Sequence, residues 1–173
     1  ANRLLEEKDY LRAAEEYLRF FRLFPSSPSA EEALFRAGLS YMQAKHWQEA
    51  ADQFDILENS YPSSPYLPEA LYFHGQCLWS LDRRDDARSV WTRDADEYPH
   101  SPWGQRSQVA KALSRGESGD YPGVLEDLMA IQPESSFYDP AQSMARELRA
   151  MDRIPKKNPV TAGILSALMP GAG

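Results

Sequence analysis

Apolar positions along the chain recur at helical spacing, in paired runs separated by short polar breaks. Leu34, Ala37, Gly38 and Tyr41 follow one another at intervals of three, one and three, which lays them along one helical stripe. After Lys45-His46 comes a second stripe of Trp47, Ala50, Ala51, Phe54 and Leu57. Pro62 ends it, because proline cannot continue the backbone ladder of a helix. Residues 29–62 therefore read as helix, turn, helix. Ser29 stands where a helix cap is expected, and Glu31 and Glu32 fall in the first turn, where the helix dipole favours acids. Gly38 and Ala50 let the two helices approach, and the ring of Phe54 fills the space beyond.

The pattern returns. Leu71, Gly75, Leu78, Ala87, Trp91 and Pro99 carry it further along, and Leu4, Ala13, Tyr17, Phe20 and Pro25 carry it before. Pro25, Pro62 and Pro99 stand 37 residues apart, within the phrases Phe24-Pro-Ser-Ser-Pro28, Tyr61-Pro-Ser-Ser-Pro65 and Tyr98-Pro-His-Ser-Pro102. Ala13, Ala50 and Ala87 keep the same register, as do Tyr17, Phe54 and Trp91. A fixed period in the thirties marks a solenoid, whose repeats bury their apolar faces by stacking on neighbours. The expected architecture is all-α, with repeats at about 1–28, 29–65, 66–102 and 103–136. In the fourth, Ala112 matches Gly75, and Tyr121, Val124, Leu128 and Ile131 continue the second-helix stripe. Gln108, Lys111 and Arg115 there replace apolar residues, which suits a terminal repeat with less to pack against. A capping helix is expected over 139–151, started by Asp139 and packing through Ala141, Met144, Ala145 and Leu148.

Leu34-x2-Ala37-Gly38-x2-Tyr41, then Ala50-x3-Phe54, then Pro62, resembles the tetratricopeptide repeat consensus, with three residues more than the usual period. Tyr61-Pro-Ser-Ser-Pro-Tyr-Leu-Pro-Glu-Ala-Leu-Tyr72 is similar to repeats of bacterial cell-envelope proteins. These include the Tol-Pal-associated coordinators and the lipoprotein subunit of the outer-membrane β-barrel assembly machine. The resemblance covers about residues 1–132, and no lipobox cysteine accompanies it. It implies a right-handed helix-turn-helix solenoid, and a non-catalytic scaffold that takes a protein or peptide segment in a concave groove. The setting implied is the periplasm or cell envelope, with the cytoplasm as the alternative.

In such solenoids the first helix of each repeat lines the groove. Beside Glu32 it would present Phe35, Leu39 and Met42; beside Glu69, Tyr72, Gln76 and Trp79; and in the fourth repeat, Arg106, Val109 and Leu113. Tyr72 and Trp79 are the expected anchors, since truncating a rigid aromatic hot spot costs roughly 2 kcal/mol or more. Aromatics at helical spacing fit a core equally well, and spacing alone does not decide for Phe35 and Tyr72. Trp79 and Met42, near helix ends, are expected to be exposed.

Composition narrows the function. Apolar residues make up 42% and charged residues 26%, a globular balance. The net charge of −7, with no basic block, argues against nucleic acid as a partner. Cys77 is the single cysteine, so no intrachain disulfide can form. His74 and Cys77, three apart, could share a helix face, but two ligands make no zinc site, and a buried, inert cysteine is the simpler reading. Asp94-Ala95-Asp96-Glu97 lacks the spacing of a calcium loop and reads as a solvated helix face. Arg83-Arg84-Asp85-Asp86 reads as an inter-helix turn. No catalytic constellation and no cofactor or metal motif is found.

Residues 159–173 carry no charge and follow Arg153, Lys156 and Lys157. Three readings of the 153–173 tail stand: a disordered end, the start of a membrane segment too short as it stands, or an apolar stub. In the last, Ile164, Leu165, Leu168 and Met169 would occupy the groove of this chain or of a neighbour. Ala1 aligns with Gly38 late in a predicted helix, and Gly173 closes a turn-like phrase, so both ends read as cut. A second function class follows from the tail, a structural or oligomerisation module tethering a membrane domain. The oligomeric state is left open.

Overall fold

The computed structural model describes residues 9–150. The expectations for the tail and for Leu4 lie outside them. Among the described residues there are eight helices and no strand: α1 (Tyr10–Leu23), α2 (Ala30–Gln43), α3 (Trp47–Ser60), α4 (Leu67–Ser80), α5 (Arg84–Glu97), α6 (Pro102–Glu117), α7 (Tyr121–Met129) and α8 (Tyr138–Ala150). The period fixes more than the prolines. Lys45, Asp82 and Gly119, 37 residues apart, end the first helix of successive repeats with φ of 61°, 61° and 80°. In each case the amide that follows returns to a carbonyl five residues back: His46 to Tyr41, Arg83 to Leu78 and Asp120 to Arg115. This is a left-handed helix termination, usually given to glycine, here held twice by other residues.

The linkers repeat as closely. Ser27, Ser64, Ser101 and Ser135 each accept through Oγ from the amide two residues on, at 3.2, 3.3, 3.2 and 3.1 Å. Ser29, expected to cap α2, makes no side-chain cap bond; Ser27 holds its amide instead. Pro133-Glu-Ser-Ser136 is thus a fourth linker, 34 residues after the third and without its second proline. Asp139 lies inside the first turn of α8, which starts at Tyr138.

The chain divides into two compact units, Ala1–Val90 and Trp91–Gly173, with the boundary inside α5. In the first, α1 to α4 pack each on the next, and α2 also touches α4. Ala13 and Tyr17 of α1 meet Ala33 and Ala37 of α2, flanked by Leu18, Phe20 and Phe21. A Cβ on Gly38 would stand 2.6 Å from the ring of Phe54, so the missing side chain sets how closely α2 and α3 approach. From Phe54, ring contacts run to Phe35 at 6.2 Å and Phe73 at 6.5 Å.

In the second unit, α6, α7 and α8 pack in order around Val109, Ala112, Leu113, Val124, Leu128, Ile131, Ala141 and Ala145. Lys111 and Arg115 are not polar for want of a partner. Lys111 Nζ stands 3.1 Å from Asp127 Oδ1, and Arg115 Nε 3.0 Å from Oδ2. Asp127 is buried on α7, so a charged cluster fills part of the α6–α7 contact.

Candidate peptide-binding face

The first helices α2 and α4 carry the expected groove residues of the first unit. Phe35, Leu39 and Met42 share one face of α2, and Tyr72, Gln76 and Trp79 one face of α4, by their spacing of three and four. Leu39, Met42 and Gln76 are half-buried, with atoms left open to solvent. Phe35 is buried, its ring stacked on Tyr66 at 5.2 Å. Tyr72 is buried against Phe73, ring centroids 5.4 Å apart, and its hydroxyl oxygen accepts from Gln76 Nε2 at 3.0 Å.

Trp79 is 8% exposed, against the expectation for a residue near a helix end. The guanidinium of Arg84, at the start of α5, lies 3.9 Å from its ring centroid and covers it. The turn at Asp82 brings the two together. Met42, in the matching place on α2, keeps its partial exposure. Tyr72 and Trp79 are thus buried and do not stand out as anchors, while Leu39, Met42 and Gln76 keep part of their surface open. On the same helix as Leu39, Arg36 Nε donates to Glu32 Oε1 at 2.7 Å, and this bond holds the guanidinium pKa above its ordinary value.

The second unit contributes less than expected. Val109 and Leu113 are buried in the core with Val124 and Leu128, so they are packing residues and not surface ones. Only Arg106 of the three is exposed, with its guanidinium 4.3 Å from the Trp103 ring centroid. Sequence reasoning missed Tyr66, Arg84 and Trp103: Arg84 meets Trp79 across a turn, Tyr66 meets Phe35 from the next linker, and Trp103 pairs with Arg106 on its own helix.

The candidates for chemistry fare plainly. Cys77 is fully buried, and that burial pushes its thiol up to about 12, leaving almost no thiolate at neutral pH. No group of three or more metal-ligating side chains occurs among the described residues. Asp94 corrects the reading of the acidic run: it is wholly buried, while Asp96 and Glu97 are exposed. No helix among the described residues is long and apolar enough to cross a membrane.

One repeat, α2 and α3 with the linker to Ser64, has the turn and the linker that recur along the chain. Residues 32–64 match the tetratricopeptide repeat family. No curated protein matches the chain. Helix after helix, the packing within each unit is that of a tetratricopeptide repeat solenoid, a scaffold that generally mediates protein–protein interactions and is typically non-catalytic.

Proposed function

We propose that this chain is a non-catalytic scaffold that takes a peptide or protein segment along the first-helix face of its tetratricopeptide repeats. The observation that carries this reading is that Leu39 and Met42 on one face of α2, and Gln76 on the matching face of α4, keep part of their surface open beside the buried Phe35, Tyr72 and Trp79 of the same faces. The buried aromatics are held by neighbours: Tyr66 stacks on Phe35, and Arg84 covers Trp79. Side chains already held in place lower the ordering cost of binding, since fewer must be immobilised when a ligand arrives. The ligand suited to it is a segment with apolar side chains at regular spacing, seated against Leu39 and Met42. The work is placed in a bacterial cell envelope on the strength of the Tyr61–Tyr72 phrase.

A photoreactive amino acid placed in turn at Leu39, Met42 and Gln76 tests the face, with Asp55 and Asn59 on exposed positions of α3 as controls. One and the same peptide segment crosslinked from all three sites, and from neither control, is the expected result. Equal labelling from the controls, or no adduct from any site, overturns the reading. An adduct between two copies of the chain would assign the face to self-association instead. Fractionation of the producing cell checks the compartment: chain recovered only from the cytosol removes the envelope placement.

A further inference from the structure

Two buried positions break the repeat together. Phe20, Leu57 and Ile131 occupy one register position in the other repeats, and Asp94 occupies it on α5. Ala33, Ala70 and Ala141 occupy another, and Ser107 fills it on α6. Neither Asp94 nor Ser107 has any exposure. Ser107 Oγ donates to Asp94 Oδ2 at 2.5 Å, and Asp94 Oδ1 has no hydrogen-bond partner.

The joint is tight as well as buried. A Cβ on Gly104 would run into the backbone carbonyl of Tyr98 and stand 3.0 Å from that of Asp94. An ionised carboxylate with one hydroxyl donor is poorly compensated there, whereas the neutral acid suits the site. The charged groups acting on it from α5 are Glu97, which disfavours ionisation, and Arg93, which favours it. From α6 it faces the Ser107 hydroxyl; Arg106 on that helix is exposed, and Lys111 and Arg115 are engaged by Asp127.

We propose that Asp94 and Ser107 form a protonation-dependent latch, holding α6 on the C-terminal half of α5 while the carboxyl keeps its proton and loosening the joint when it is lost. The inference stands apart from the ligand reading. Burial raises the carboxyl to about 7 in the closed joint. In an opened, hydrated joint it returns toward about 3.9. Opening therefore releases a proton between these values, so the latch is tightest at acid pH. The opening equilibrium grows about tenfold per pH unit up to roughly neutrality and is flat above it.

Hydrogen exchange of the α6 amides in the full chain, corrected for intrinsic rates, reads the latch between pH 5 and 8. Protection is expected to fall about tenfold per unit from pH 5 to 7 and then to level off. Asp94→Asn should remove the slope. The pair Asp94→Leu with Ser107→Ala, which restores the apolar register, should remove it while keeping the joint closed, and serves if the amide variant does not fold. A flat wild-type profile over pH 5–7, or the same slope in the Leu/Ala pair, overturns the proposal.

Discussion

The hydroxyl of Tyr61 reaches back one repeat and donates to the carbonyl oxygen of Pro25 at 3.1 Å. Its ring meets Phe21 edge-on at 6.5 Å. Two successive linkers are thus tied directly, besides the packing of their helices. Tyr61→Phe keeps the ring contact and loses the bond. Because the site is partly open to water, the expected cost is at the low end of the roughly 0.5–1.5 kcal/mol range for a hydrogen bond. Urea unfolding measures it, and a midpoint unchanged from wild type would show that the tie contributes nothing.

Gly38→Ala should destabilise by about 1–3 kcal/mol, the range for overpacking a well-filled core. The added methyl meets the Phe54 ring, which is itself 1% exposed and has nowhere to retreat. Combining it with Phe54→Leu frees that space, so the double variant should lose less stability than the sum of the two single changes. Thermal melts of the four proteins check the coupling.

Asp127→Ala leaves Lys111 and Arg115 facing one another without their shared counterion. Breaking a wholly buried pair costs roughly 3–5 kcal/mol, and about 2 kcal/mol is expected here because both cations keep partial access to water. Replacing all three by apolar residues (Lys111→Met, Arg115→Leu, Asp127→Leu) should recover most of the loss. Denaturant midpoints at low and high salt would separate the charge contribution from packing.

The Cys77 thiol should not react with Ellman's reagent at pH 8 in the folded chain and should react promptly in denaturant. Its raised pKa means that folding favours the protonated thiol. The stability this adds is complete at neutral pH and is lost as pH climbs from about 9 to about 12. Rapid labelling of the native protein would contradict the buried placement.

What the sequence made legible was whatever spacing alone determines. Ala13, Ala50 and Ala87 were expected inside from their register, and all three have no exposure; Phe54 and Trp91 follow the same rule. The turns at Lys45 and Asp82 were visible only as polar breaks, because a left-handed backbone in a residue other than glycine leaves no compositional mark. Asp94 and Asp127 were missed for a related reason. A helical acid looks solvated until a neighbouring helix supplies Ser107 or Lys111 and Arg115. Tyr72 and Trp79, expected as exposed anchors, are buried instead, and for Trp79 that burial depends on Arg84 over its ring, a contact that no single-helix periodicity contains.

Serine linkers and left-handed turns recur at the 37-residue period, and the linkers at Ser27 and Ser64 lead into their helices in the same way, so the repeat between them begins and ends on like joints. A gene in which residues 29–65 are copied in tandem should encode a longer protein whose new seams match the old ones, with one extra Leu39–Met42 surface on offer. Length is therefore a quantity this chain could change by duplicating that repeat, with the same joint formed at each new seam.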